Sequence, residues 1–126
     1  MDILISNSSD KPIYEQITSQ IKAMIMSGKL APGEPLPSIR HMARELRVSV
    51  ITTKRAYEDL ERDGFIETVP GKGSFVAERN LALIREEQLK AAEARLAEAV
   101  GIAKRSGIAL EELTEILKLL YEEEWR

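Results

Sequence analysis

Cysteine is missing from this sequence of 126 residues, and histidine occurs only once. Without cysteine there can be no disulfide framework and no thiolate zinc site. The single histidine, His41, is too little for a typical zinc or iron centre, because carboxylates alone rarely hold those metals. We therefore expect a protein that carries no metal and no other cofactor.

Long apolar stretches and a secretory signal are also missing. No run of about eighteen apolar residues, the length of a membrane-spanning helix, occurs in the sequence. The start, MDILISNSSDKP, lacks the basic residues and apolar segment of a secretory signal. Hydrophobic residues make up 44% of the chain, enough for one small domain and an appendage. We expect a soluble, cytoplasmic protein that does not bind a membrane.

The charges are unevenly distributed along the chain. The formal net charge is −3, which alone argues against a nucleic-acid partner. In residues 36–56, however, Glu45 is the one acidic residue against five basic ones, a local charge of +4: Arg40, Arg44, Arg47, Lys54 and Arg55. Residues 79–126 contain eight basic and ten acidic residues. A basic middle in an acidic chain is compatible with a polyanionic partner, because local charge governs such binding.

The first part of the chain reads as one helix followed by a rigid connector. Residues 12–28 place apolar side chains at helical spacing, and Gly28 lies where the helix should end. Pro12 suits the first helical position, with Asp10 upstream as a possible cap. The next stretch, KLAPGEPLP, contains three prolines and cannot be the interior of a helix.

Two further helices follow with a very short joint between them. Ser38 is a good N-cap for a helix over residues 38–46. Residues 47–48 form a tight turn, and Ser49 caps a third helix that ends at Gly64. This spacing resembles a helix-turn-helix, in which the second helix of the pair enters the major groove of DNA.

The remainder of the chain predicts a hairpin and two helices. Residues 65–69 and 74–78 read as short strands on either side of PGKG. Residues 81–106 are rich in Ala, Glu and Leu, and apolar residues recur in alternating steps of three and four, as in a coiled coil. Residues 110–124 form a final amphipathic helix.

The third helix begins with β-branched residues, which are unusual in a first helical turn. On a helix that starts at Ser49, Ala56 and Leu60 face the other helices, whereas Val50, Ile51 and Lys54 lie on a separate, exposed face. Such a face could meet thymine methyl groups and phosphates. Two alternatives remain: a first turn that packs on a neighbouring domain, and a strand that runs into a helix.

The continuous stretch from residue 28 to residue 76 resembles the winged helix-turn-helix domain of the GntR family of bacterial transcription regulators. The resemblance is carried by PG at 32–33, LPSIR at 36–40, VS at 48–49 and GKGSFV at 71–76. The two helices after it resemble the dimerisation module of the YtrA-type subfamily. The implied fold is mainly α (α+β): a winged helix-turn-helix with a two-stranded wing over residues 1–78, then a two-helix antiparallel dimerisation module over residues 79–126.

The resemblance also implies a function and a set of site residues. It suggests a homodimer that binds a palindromic double-stranded DNA operator through a recognition helix over residues 49–63 and a wing over residues 70–73, and that represses transcription. The implied DNA contacts are Ser38, Arg40, Ser49, Val50, Ile51, Thr52, Lys54, Gly71 and Lys72. The predicted dimer interface comprises Leu89, Leu96, Val100, Leu113, Leu117 and Leu120. No residue pattern identifies an effector.

Val50 departs from the family pattern, in which arginine commonly follows VS. The departure removes a guanine contact, so recognition should depend more on Arg40, Lys54 and apolar contacts. For Arg40 the alternative role is a surface ion pair with Glu45 or another nearby acidic residue, and for Lys54 it is a solvated side chain.

Two other functions compete with DNA binding. GKGS at 71–74 does not match a phosphate-binding loop, because Gly73 separates the lysine from Ser74 and no glycine stands at the required upstream position. His41 has no partner at a spacing typical of a catalytic site, so we predict that the protein is not an enzyme. A winged helix that acts only as a protein-interaction adaptor remains the alternative, and the basic cluster argues against it.

Overall fold

The computed structural model describes residues 1–78 and 81–123. They form two compact units, Met1–Ala82 and a second that begins at Leu83. The predicted domain start at residue 79 and the predicted helix end at residue 124 lie outside the described residues. The elements are α1 (Ile13–Met26), α2 (Ile39–Leu46), α3 (Val50–Arg62), β1 (Ile66–Val69), β2 (Gly73–Val76), α4 (Leu81–Ser106) and α5 (Leu110–Glu122).

Helix α1 supplies the centre of the first unit. Its apolar residues Ile17 and Ile21 are completely buried against α3, which packs along it. The helix begins one residue later than the sequence predicted, because Pro12 is its N-cap with an extended ψ of 150°. No side chain caps it, so the predicted cap at Asp10 was wrong.

Two buried glutamines of α1 hold the N-terminal segment. The side-chain amide of Gln20 accepts from the backbone N–H of Leu4 at 2.9 Å and donates to its carbonyl at 2.7 Å. Gln16 binds the backbone of Ser6 in the same way, at 2.8 and 2.9 Å. Each amide thus satisfies the backbone N–H and carbonyl of one residue in the N-terminal segment.

Helices α2 and α3 form the predicted helix-turn-helix. Ser38 accepts a hydrogen bond from the backbone N–H of His41 at 3.1 Å, and Ser49 accepts from that of Thr52 at 3.0 Å, so both predicted serine caps are confirmed. Ala56 and Leu60 of α3 are completely buried. The buried hydroxyl of Tyr57 donates to the carbonyl of Pro37 at 2.7 Å, and burial raises its pKa well above the ordinary value of a phenol.

Besides its two strands, the wing includes a third backbone segment, the proline-rich connector, which the sequence did not predict. Strands β1 and β2 pair antiparallel, with Ile66 opposite Val76 at the base. The proline-rich connector runs along the other edge of β2: Gly33 donates to the carbonyl of Val76 at 2.8 Å, and Leu36 donates to that of Ser74 at 2.9 Å. The connector is therefore tied to the wing by backbone hydrogen bonds and orients the start of α2.

The second unit consists of α4 and α5 with a short turn between them. The chain turns at Gly107, where φ is 69°, and Ile108 donates to the carbonyl of Ala103 at 3.0 Å. Ala103 is buried, and none of the residues of α5 is. None of the helices among the described residues is long and apolar enough to cross a membrane.

Candidate nucleic-acid interface

The first turn of α3 exposes apolar side chains to solvent. Val50 is 46% exposed and Ile51 is 82% exposed, while the neighbouring Thr53 is fully buried. This confirms the predicted separation of the two faces, and it excludes the alternative of a strand running into a helix. Exposed β-branched residues at a helix start contribute little to stability, so the surface they form is available for a partner.

The hydroxyl groups at this helix start bind each other. Ser49 accepts from the N–H of Thr52 and donates to the Thr52 hydroxyl at 2.8 Å. Thr52 is half-buried, and Lys54 two residues later is exposed. The Thr52 hydroxyl keeps its own proton available as a donor toward solvent while it accepts from Ser49.

Basic side chains surround a shallow depression beside the exposed apolar residues. Its lining comprises Arg40, Ala43, Arg44, Arg47, Val48 and Val50. Within residues 1–78 and 81–123, none of its three arginines forms a salt bridge. Three guanidinium groups on one surface repel each other and are stabilised by an anion, above all by a phosphate that they can bind in pairs.

Other charges that the sequence placed near this surface have partners elsewhere. Arg40 forms no ion pair with Glu45 or with any other acidic residue that the structure describes, and the Glu45 carboxylate lies 3.2 Å from Nε2 of His41. Arg55 packs its guanidinium 3.7 Å from the centre of the Tyr14 ring on α1. The cation–π contact commits Arg55 to the packing of α1 against α3.

The tip of the wing is open. Gly71 and Gly73 have φ of 78° and 112°, and a Cβ at either position would meet no atom within 4 Å. Lys72, between them, donates its backbone N–H to the carbonyl of Val69 at 2.9 Å and exposes its side chain. The positive φ of both residues, and not a lack of space, is what favours glycine in this turn.

Comparison with known proteins shows the family. The sequence matches the family described as "Bacterial regulatory proteins, gntR family" over residues 13–76. It is 35% identical over 116 residues to the HTH-type transcriptional repressor YtrA of Bacillus subtilis, covering 92% of this chain and 89% of that protein. The chain belongs to the GntR family.

Solved structures agree with this membership. A transcriptional antiterminator from Listeria monocytogenes superposes with a TM-score of 0.76 at 33% identity, over 97% of this chain and 91% of that one. The DNA-binding domain of AraR, solved in complex with operator ORX1, superposes with a TM-score of 0.55 at 29% identity, over 61% of this chain and 96% of that one. A GntR winged helix-turn-helix with a YtrA-like extension, as the sequence predicted, is the fold of this chain, and its class is that of DNA-binding transcription regulators, not enzymes.

Within this GntR domain the predicted site residues lie on three structural features. Ser38 and Arg40 lie at the start of α2, four residues belong to the start of α3 with the cap Ser49, and Gly71 and Lys72 form the wing tip. Two arginines of the depression, Arg44 and Arg47, were not among the predicted site residues. The local charge of residues 36–56 included them, and the four-residue spacing from Arg40 on α2 could have identified Arg44. Arg47 follows the end of α2, so helical spacing does not predict its position.

The predicted dimer residues lie on the two helices that follow the GntR domain. Leu89, Leu96 and Val100 of α4 are 56%, 49% and 40% exposed in the single chain. Leu117 and Leu120 of α5 are also exposed, whereas Leu113 is half-buried. Ile116, Leu119 and Leu120 line an open apolar groove with the acidic Glu122 and Glu123 at its edge.

Proposed function

We propose that this GntR protein is a repressor that binds a palindromic operator as a homodimer, with α3 in the major groove and the wing beside it. The observation that carries the proposal is that arginines without an acidic partner among the described residues lie next to exposed apolar side chains at the start of α3. The arginines supply affinity for the DNA backbone, and the apolar residues supply contacts that depend on sequence.

The start of α3 is suited to read base edges. The exposed side chains of Val50 and Ile51 fit against thymine methyl groups, which mark T·A pairs in the major groove. Lys54 lies on the same face and contacts a phosphate or an acceptor on a base. Thr52 donates its hydroxyl proton, because Ser49 occupies one of its acceptor positions.

Helix α2 and the wing flank that reading surface. Arg40 binds phosphate, and the start of α2, capped by Ser38, adds backbone N–H groups and the positive end of the helix dipole. At the other side, Gly71 lets the wing backbone approach the minor groove and Lys72 adds a positive charge. DNA as the partner of this surface is supported by the similar AraR domain, which was solved in complex with operator DNA.

The second unit supplies the dimer. An exposed row of leucines and small residues on α4, together with the leucines of α5, lacks the partner that an apolar surface requires in water. A second copy of the chain offers the same surface and buries both. Two linked DNA-binding domains then bind two half-sites, and the affinity of the dimer exceeds that of a single domain by about 10²–10⁴-fold.

Footprinting on the DNA upstream of the protein's own gene tests the proposal. We expect protection of a palindrome whose half-sites lie about one helical turn, or a multiple of it, apart. Binding should weaken steeply with salt, because each neutralised phosphate releases counterions. In transcription with purified components, the bound protein should lower transcript yield. Absent or salt-insensitive binding would instead favour a protein-interaction adaptor.

A further inference from the structure

Arg47 adopts a backbone conformation that arginine rarely adopts. It ends α2 with φ 57° and ψ 45°, in the left-handed region. Among residues 1–78 and 81–123 it is the one non-glycine residue with a positive φ. A residue with a Cβ is disfavoured there relative to glycine, because the Cβ approaches the following carbonyl oxygen.

The turn itself does not require the arginine side chain. It is closed by backbone hydrogen bonds, from Arg47 N–H to the carbonyl of Arg44 at 3.3 Å and from Val48 N–H to that of Ala43 at 3.0 Å. The Arg47 side chain is exposed and forms no hydrogen bond or salt bridge with any other described residue. Glycine would make the same backbone bonds without the steric cost.

The position of Arg47 gives the side chain a different use. It lines the same depression as Arg40, Arg44 and Val50, beside the start of α3. Without an acidic partner, its guanidinium adds to the repulsion among the three arginines in the free protein. A phosphate group in the depression offsets that repulsion, because a guanidinium group binds phosphate with two parallel hydrogen bonds.

We propose that Arg47 is a phosphate anchor of the helix-turn-helix: it binds the DNA backbone at the edge of the half-site, and the chain accepts a less stable turn in return for affinity. The inference rests on the proposed function, since it needs DNA in that position. A phosphate contact carries no sequence information, so Arg47 should strengthen binding to operator and to unrelated DNA alike.

Three substitutions separate the charge from the backbone conformation. Arg47→Gly removes both the charge and the strain, Arg47→Asn removes the charge but tolerates the left-handed region, and Arg47→Lys keeps the charge. Fluorescence anisotropy with operator and scrambled duplexes gives the affinity over a range of salt concentrations. Thermal unfolding of the same full-length variants gives the melting temperature.

The proposal predicts opposite effects on the two measurements. Arg47→Gly and Arg47→Asn should weaken binding to both duplexes by about tenfold, the usual scale of a hydrogen bond to a charged group. The slope of log affinity against log salt should fall by about 0.9, the value for one phosphate. Arg47→Gly should at the same time raise the melting temperature. Arg47→Lys should bind DNA nearly as well as the wild type.

Arg62 provides a matched control for the loss of one positive charge. Arg62→Gln removes one exposed positive charge at the far end of α3, where Arg62 binds Asp59 at 2.9 Å, and should leave the salt slope unchanged. If Arg47→Gly binds DNA as the wild type does, or if Arg47→Lys loses as much affinity as Arg47→Gly, Arg47 is not a phosphate anchor. If the wild type itself does not bind DNA, the proposed function fails instead.

Discussion

The two compact units of this chain bury their apolar side chains to very different extents. In the first, Ile17, Ile21 and Leu60 are completely removed from solvent. In the second, α4 buries only Ala103 and α5 buries none of its residues from Leu110 to Glu122. The first unit has the core of an independently folding domain. The second has helices whose apolar surface still needs a partner, because the exposure of several leucine side chains to water is unfavourable in free energy.

The difference also separates two kinds of exposed apolar residue. Val50 and Ile51 are exposed on a unit that is otherwise well packed, and they lie within the basic stretch of residues 36–56, so they fit an anionic partner with a few apolar groups. Leu96 and Leu117 are exposed on helices that bury almost nothing, so they fit an apolar partner. Exposure alone does not identify the partner; the charge and packing around the exposed residue do.

The largest expected effect comes from a charge in the proposed dimer surface. Leu96→Glu should give a monomer, because a buried carboxylate without a partner is strongly disfavoured in an interface. Operator affinity should fall by about a hundredfold or more, since the second half-site no longer adds avidity. Sedimentation equilibrium measures the assembly, and anisotropy with operator DNA measures the affinity.

Ala94→Glu is the matched control for Leu96→Glu, because Ala94 is an exposed position on the opposite side of α4 and receives the same charge. It should remain dimeric and bind the operator as the wild type does. A dimeric Leu96→Glu protein would place the interface on another surface, and Leu117→Glu would then test α5 separately.

A cavity in the core of the first unit should have the second largest effect, in this case on the free energy of unfolding. Leu60→Ala removes a completely buried side chain and should lower the free energy of unfolding by about 2–5 kcal/mol. Urea denaturation monitored by circular dichroism measures the change. The loss should not depend on protein concentration, because Leu60 belongs to the packing of a single chain.

The same truncation in the second unit should behave differently. Leu120→Ala removes a side chain that is 63% exposed in the single chain. If a dimer buries Leu120, the loss of stability should depend on protein concentration, since folding is then coupled to association. A loss that is as large and as independent of concentration as that of Leu60→Ala would contradict the contrast between the units.

A third substitution tests the interpretation of the exposed residues on α3. Val50→Arg adds a guanidinium beside Arg40 and Arg47, so binding to unrelated DNA should tighten by up to about tenfold. The salt slope should rise by about 0.9 and the preferred operator sequence should change. Anisotropy and selection from a randomised duplex pool provide the measurements.

Ala91→Arg serves as the control for Val50→Arg, because it adds the same charge at an exposed position of α4. It should alter neither the salt slope nor the sequence preference. Should Val50→Arg likewise change neither, the exposed face of α3 does not touch DNA.

The elements that the sequence predicted well are those specified by local chemistry. Ser38 and Ser49 cap their helices through hydrogen bonds three residues away, so the pattern of residues contains the contact. The exposed start of α3 follows equally from the 100° step between residues. In both cases the sequence separation is short and the geometry is fixed by the helix itself.

The contacts that the sequence did not predict join residues far apart in the chain. The connector pairs with β2 through Gly33 and Leu36, whereas its prolines predicted only that it is not the interior of a helix. Gln16 and Gln20 hold the N-terminal segment, and amide side chains carry no signal of their backbone partner. Arg55 adds to the local positive charge of the sequence, but its guanidinium packs on the ring of Tyr14 in α1.

The smallest expected effect concerns an ion pair on the surface of the first unit. Lys22 of α1 lies 2.9 Å from the Asp63 carboxylate at the end of α3, and its hydrogen bond lowers the pKa of Asp63 below the ordinary value. Both side chains are about one third exposed, so solvent screens the pair and Asp63→Asn should cost only about 0.5 kcal/mol.

The pH dependence of this pair has a definite sign. A carboxyl group whose pKa is lower in the folded state stabilises the fold above its unfolded pKa of about 3.9, and that contribution is lost as the pH falls through the folded value. The difference in unfolding free energy between wild type and Asp63→Asn should therefore be present at pH 7 and vanish in acid. A difference that persists at low pH would mean that the effect of Asp63→Asn does not come from the ionised carboxylate. A difference as large as that of Leu60→Ala would mean that the stability of the first unit depends on its surface pairs as much as on its core.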